Sequence, residues 1–152
     1  MKKVLITGSS SGIGKATAEL FLKNDVPVVG IARQHKKFIH KSKLYEPIEA
    51  DLSLIESLPK LITTILQEHP DIDVFVGNAG YGDFQSIENF SANQIRNFLN
   101  LNLISHITLC RFIVSHMKYE KNGTIFFIGS ESGLVGKKKG TLYSACLLYT
   151  SP

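Results

Sequence analysis

Short apolar runs alternate with longer amphipathic stretches along this chain. Val4-Leu5-Ile6 is apolar at consecutive positions, as in a strand buried on both faces. A Gly- and Ser-rich segment, Thr7 to Gly14, follows it. From Ile13 to Asn24, the positions Ile13, Ala16, Thr17, Leu20 and Phe21 recur at helical spacing and predict the buried face of a helix. Val26 to Ala32 reads as a second buried strand, with Pro27 near its start, where a missing N–H is tolerated. Leu44 to Ala50 is a weaker third strand, ending in Asp51-Leu52. Ser53 to His69 predicts an amphipathic helix that Ser53 can cap. Ile72 to Val76, a fourth strand, runs into Gly77-Asn78-Ala79-Gly80. Ser91 to Lys118 predicts helix, divisible in two near Asn100 to Asn102, and Thr124 to Ile128 a fifth strand before Gly129-Ser130. Strands alternating with helices, the strands nearly continuous in apolar residues, argue for an α/β fold with a parallel sheet covered on both faces.

Composition narrows the class. With 152 residues, 43% of them apolar, the chain can bury one sizeable core but hardly two. Charged residues make up 20%, which excludes the signature of disorder. Lys and Arg number 17 against 13 Asp and Glu, a net +4. So mild an excess suits an anionic ligand without requiring nucleic acid. Two cysteines, Cys110 and Cys146, exclude a disulfide scaffold. The three apolar residues before Thr7 are too few for a signal peptide, and no run approaches the roughly 18 apolar residues of a membrane span. A cytoplasmic protein without membrane partners is expected. The five histidines have no ligand spacing with Cys or acids, so no metal site is expected.

The segment Thr7-Gly8-Ser9-Ser10-Ser11-Gly12-Ile13-Gly14 joins the first strand to the first helix. Glycines allow a tight turn and close backbone approach to a pyrophosphate, while a helix N-terminus offers free N–H groups. The spacing is G-x-x-x-G-x-G. A phosphate-loop ATPase is excluded: Ser9 stands where that motif needs its first glycine, and Ala16 where it needs a hydroxyl for Mg²⁺. At the tip of the second strand an acid would bond the ribose 2′-OH of NAD. The tip here is Ile31-Ala32-Arg33-Gln34. Arg33 can pair instead with a 2′-phosphate, which points to NADP. The basic stretch from Arg33 to Lys43 also admits a nucleic-acid reading, but aromatic interleaving and a recognition-helix motif are missing. Gly129-Ser130-Glu131-Ser132-Gly133 fails as a hydrolase elbow, since neither serine has glycines on both sides at the required spacing.

These motifs, in this order, resemble the short-chain dehydrogenase/reductase family over residues 2–145. Thr7-Gly8, Gly12-Ile13 and Gly14 match its cofactor turn, with Ser10 and Ser11 inside it, and Asp51-Leu52 its adenine-contacting pair. Asn78-Ala79-Gly80 is similar to its N-A-G, although Gly77 replaces the usual preceding Asn. Asn102 falls at the family's helix asparagine, and Ser130 lies 13 residues before Tyr143, the family's Ser-to-Tyr spacing. The resemblance implies a doubly wound Rossmann sheet in the order 3-2-1-4-5 and NADP-dependent hydride transfer to or from a small carbonyl or alcohol. Tyr143 would be the acid or base, Ser130 the group bonding the substrate oxygen, and Asn102 the holder of a relay water. A homo-oligomer is also implied.

One position breaks the pattern. The family keeps a Lys four residues after the Tyr, where its charge lowers the pKa of a phenol ordinarily near about 10; here that residue is Leu147. The tail Cys146-Leu147-Leu148-Tyr149-Thr150-Ser151-Pro152 matches the translation of a transposon-end sequencing adapter, TGT CTC TTA TAC ACA TCT CCG. The expectation is a dinucleotide-binding domain over 1–145 in a natural protein that continues with Lys at 147, the chain as written being inactive. The alternative is a non-catalytic dinucleotide-binding module, which Leu147 favours and the trio Asn102, Ser130 and Tyr143 disfavours.

Overall fold

Leu5 lies at the centre of the sheet, paired in register with Val29 on one side and Phe75 on the other. The computed structural model describes residues 2–35 and 42–148, the side chain of Leu148 excepted. Five parallel strands, β1 (Lys3–Thr7), β2 (Val28–Ala32), β3 (Tyr45–Glu49), β4 (Ile72–Gly77) and β5 (Thr124–Phe127), form one sheet in the order β3-β2-β1-β4-β5. The expected strand order is borne out. The helices are α1 (Gly12–Lys23), α2 (Leu58–Glu68), α3 (Ala92–Leu99), α4 (Ser105–Glu120) and α5 (Thr141–Leu148).

Alternation along the strands splits the core between two faces. Leu5, Val29, Ile31 and Phe75 meet Leu58, Ile62 and Ile65 of α2 and Leu109, Ile113 and Met117 of α4. Val4, Ile6, Val28, Val74 and Val76 face the other way, onto Ala18 and Leu22 of α1. Each such side chain removed from water contributes about 1.5–3 kcal/mol against the entropy of folding. A third cluster, Phe90, Phe98, Leu142 and Cys146, seats α5 on α3. Helix α5 runs through position 145 without a break, and Cys146 is wholly buried.

Several expected boundaries shift for identifiable reasons. The buried face of α1 is Gly14, Ala18 and Leu22, whereas Ile13 and Leu20 are more than 60% exposed. The small residues win because the helix is pressed against the turn after β1: a Cβ at Gly14 would collide with the Gly8 carbonyl and the Asn78 amide. Ser53 does not cap α2. It bonds Asp51 Oδ1 through both its N–H and its hydroxyl, at 2.9 and 2.7 Å. A 3₁₀ turn over Ile55–Ser57 follows, and α2 begins at Leu58 with Pro59 in its first turn, where no N–H is needed. Strand β2 begins after Pro27 rather than at Val26.

The long helical stretch does divide, through a π-turn over Asn100–Ile104. Together the pieces make 29 residues whose most apolar 18-residue window averages a hydropathy of 1.3, long and apolar enough to cross a membrane. That corrects the expectation that no such segment exists. Leu109, Ile113 and Met117 in it nevertheless belong to the core against the sheet. The lysine-rich part of the basic stretch, 36–41, lies outside the described residues.

Candidate functional site

The chain passes from β1 outward to β2 and β3, then returns across the sheet to β4 beside β1. Above that reversal point the two departing loops leave a crevice, the general place for ligands on such sheets. A cleft of about 900 Å³ occupies it.

Its floor is built by Thr7. This residue is fully buried, and its Oγ1 accepts the N–H groups of Asn78 (2.9 Å) and Ala79 (3.0 Å) while donating to the Val76 carbonyl at 3.4 Å. Asn78 Nδ2 returns a bond to the Thr7 carbonyl at 3.0 Å. The ends of β1 and β4 are thus clamped together, so that Gly8 and Asn78, Ala79 and Gly80 line one wall in common. Gly8 and Gly12 adopt φ of 69° and 53°, the left-handed region that side chains resist. Ser11, the N-cap of α1, makes no side-chain bond to the helix, and no acid stands in its first turn. The positive end of α1 is therefore left uncompensated by its own side chains. Ser10, Ser11, Gly12 and Ile13 line the cleft there.

On the β2 side, Ala32, Arg33 and Gln34 line the cleft, with Ala50 and Leu52 beyond them. Arg33 is exposed. Two of the cofactor-binding residues singled out by sequence stand back from the lining. Gly14 is the buried contact under the turn, and Asp51 turns its carboxylate to Ser53.

At the other end, Tyr143 lies in the first turn of α5 and lines the cleft. Its ring meets Phe84 and Phe98 edge-on, at centroid distances of 5.7 and 6.1 Å. Asn102, in the π-turn, lines the cleft too, but its side chain is committed: Oδ1 accepts the Tyr81 N–H at 2.9 Å, and Nδ2 donates to the Phe98 carbonyl at 3.1 Å. It brackets the loop after β4 to the helix. Ser130 is not among the lining residues. It follows β5, and its Oγ accepts the Ser132 N–H at 3.3 Å, capping the 3₁₀ turn Glu131–Gly133. Leu147 lines the cleft one helical turn after Tyr143, where the family pattern has a cation.

Sequence reasoning missed Tyr81 and His106, both in the lining. His106 stands four residues after Asn102, and burial pushes its imidazole below the ordinary 6.5, with a bond to the Asn102 backbone partly opposing. Its Nε2 is buried, with no protein partner among the described residues. That i, i+4 relation was the available signal. The departure at Gly77 has a steric cause: a Cβ there would press on the rings of Phe127 and His106. Among the described residues no group of three His, Cys, Asp or Glu could hold a metal.

A doubly wound parallel sheet with a glycine-rich turn at its reversal point defines a Rossmann-type α/β domain. The chain belongs to the short chain dehydrogenase family, whose model matches residues 2–146. It is 28% identical over 142 residues to a 3-ketodihydrosphingosine reductase of Bacteroides thetaiotaomicron, covering 93% of this chain and 52% of that protein. Among solved structures, ElxO with NADP bound superposes with a TM-score of 0.86 at 28% identity, over 97% of this chain and 62% of that one. A 4-hydroxyisoleucine dehydrogenase mutant complexed with NADH and succinate superposes with a TM-score of 0.90 at 25% identity, over 97% and 62%. The chain spans about half the length of the curated relatives it matches.

Proposed function

We propose that the protein carrying this chain is an NADP-dependent oxidoreductase that moves hydride between the nicotinamide and a small carbonyl or alcohol. The observation that carries the cofactor choice is Arg33 at the end of β2, exposed in the cleft where an acid would select NAD. Both cofactors occur among the similar structures, so the choice rests on this side chain. A guanidinium pairs with a phosphate dianion through its planar fork.

The donor set fits a dinucleotide. Gly8, Ser10, Ser11, Gly12 and Ile13 would hold the pyrophosphate at the start of α1, with Gly14 keeping that helix close. Leu52 would flank the adenine, with Asp51 shaping its loop, and Asn78, Ala79 and Gly80 would border the nicotinamide side. When bound, the reduced nicotinamide supplies the hydride. The chain's own residues would handle the proton. Tyr143 would give it to the substrate oxygen in reduction and take it in oxidation. Ser130 would bond that oxygen with its hydroxyl hydrogen, which the Ser132 contact leaves uncommitted. Asn102, whose amide keeps one acceptor and one donor position beyond the bonds to Tyr81 and Phe98, would help hold a relay water. Residues 1–145 would form the dinucleotide-binding part.

A second reading, a non-catalytic dinucleotide-binding module, is favoured by Leu147 beside Tyr143 in the cleft. The two separate in an assay of NADPH consumption with a panel of ketones and aldehydes. The catalytic reading expects the full-length protein to turn over, with a rate that falls at least about 100-fold in Tyr143→Phe while NADPH affinity is retained. NADPH binding without turnover of any carbonyl by the full-length protein would support the second reading.

A further inference from the structure

Three side chains from separate parts of the chain meet beneath the cleft. Ser9 Oγ lies 3.0 Å from Tyr45 Oη, and Tyr45 Oη lies 3.1 Å from His35 Nδ1. His35 Nε2 lies 3.1 Å from the Ile48 carbonyl oxygen. Ser9, Tyr45 and His35 are 0%, 8% and 6% exposed. A carbonyl only accepts, so Nε2 carries a proton and, in the neutral ring, Nδ1 accepts. Tyr45 then donates to His35, and Ser9 donates to Tyr45. Burial pushes the Tyr45 phenol upward, with the Ser9 bond partly opposing, which keeps it protonated as this order requires.

The relay ties together the ends of three strands. Ser9 is in the turn after β1, His35 follows β2 by three residues, and Tyr45 and Ile48 belong to β3. The His35 N–H adds a bond to Glu49 Oε1 at 3.3 Å. The Gly8 and Ser9 N–H groups donate to the Ile31 carbonyl at 2.8 and 3.4 Å. Between Ala32, the last residue of β2, and the anchored His35 stand only Arg33 and Gln34, and both line the cleft. Gly30 makes the relay possible, since a Cβ there would collide with Ser9 Oγ and Tyr45 Oη.

We propose that Ser9, Tyr45 and His35 form a positioning relay that holds Arg33 in register with the glycine-rich turn and thereby sets selectivity for an adenosine 2′-phosphate. The inference rests on the reading of Arg33 given above. None of the three touches the ligand; they act by anchoring both ends of a two-residue segment. Without the Tyr45 bond, His35 would keep only its bonds to Ile48 and Glu49, its ring would lose its tie to the glycine-rich turn, and the competent pose of the segment would become one of several.

The test uses adenosine 2′,5′-bisphosphate and 5′-AMP as calorimetric probes, which differ only in the 2′-phosphate. Arg33→Ala is expected to weaken the bisphosphate by at least about tenfold and 5′-AMP little. Tyr45→Phe is expected to weaken the bisphosphate about three- to tenfold and to leave 5′-AMP within about twofold. It should add little on top of Arg33→Ala, because both act on one contact. His35→Asn keeps an acceptor near the Nδ1 position and should retain most of the selectivity, whereas His35→Leu should not. Should Tyr45→Phe fail to fold, Ser9→Ala takes its place, with a smaller effect in the same direction. Equal weakening of both probes, or of neither, by the relay variants would overturn the relay. No response of the bisphosphate to Arg33→Ala would overturn the reading of Arg33 itself, and the relay's role with it.

Discussion

Replacing Thr7 with Val should loosen fold and site together. The two side chains have nearly the same shape, so the change leaves no cavity; it removes one buried oxygen. That oxygen accepts two N–H groups, from Asn78 and Ala79, at 2.9 and 3.0 Å. A buried donor left without a partner costs about 1–3 kcal/mol. Both residues are only half-buried and border the cleft, so water can reach them in part and the lower end applies, about 1–2 kcal/mol each. The added methyl recovers roughly 0.8 kcal/mol, and the 3.4 Å bond to Val76 is too long to add much. The net loss is about 1–3 kcal/mol, or roughly 2–12 °C in Tm for a domain near this size. Urea and thermal unfolding followed by circular dichroism would measure it, beside Thr7→Ser, which keeps the acceptor and should lose under about 1 kcal/mol. NADPH affinity should fall in Thr7→Val and hold in Thr7→Ser. Equal stability of the two variants would refute the clamp.

Three further outcomes follow from the same geometry. The folded state disfavours protonated His106, so the unfolded chain binds the extra proton; stability should fall as pH drops below about 6.5 and level off below the folded-state value. His106→Leu should flatten that part of a urea-midpoint profile between pH 5 and 8, and an unchanged slope would count against it. Ser91 caps α3 in a reciprocal capping box with Gln94, so Ser91→Ala should cost about 1 kcal/mol and Ser91→Asp much less, as read by denaturant midpoint. Asp73, 8% exposed, accepts the N–H groups of Lys2 and Lys3 and the Asn122 amide; Asp73→Ala should destabilise by about 1–3 kcal/mol, with Asp73→Asn intermediate in the same assay.

What the sequence made legible was whatever runs locally. The short, nearly continuous apolar runs of β1, β2 and β4, each followed by turn residues, read as buried parallel strands, and the strand-end rule led directly to Arg33. Strand β3 read weakly because it is an edge: Tyr45 is buried, while Glu46, Pro47 and Glu49 are exposed. Strand β5 read as an ordinary apolar strand, yet Phe126 and Phe127 are each half exposed, because no described strand lies beyond it. The face of α1 was misread because periodicity weighs large apolar residues, whereas the Gly8 carbonyl and Asn78 decide which side can approach. Ser53 looked like a cap because residue type alone cannot tell a helix N-terminus from an Asx turn. The Ser9–Tyr45–His35 relay and the Asn102 bracket join residues far apart in the chain, and only the folded topology brings them together.

Arg33 is the residue proposed to select NADP over NAD. The most direct test of that role is the pair of dissociation constants for NADPH and NADH, measured by calorimetry at one salt concentration, for the protein and for Arg33→Asp. NADPH should bind about 10- to 150-fold more tightly than NADH, the equivalent of roughly 1.5–3 kcal/mol for a charge-assisted contact, and Arg33→Asp should reverse the order. Equal affinities, or a preference for NADH in the unaltered protein, would contradict it.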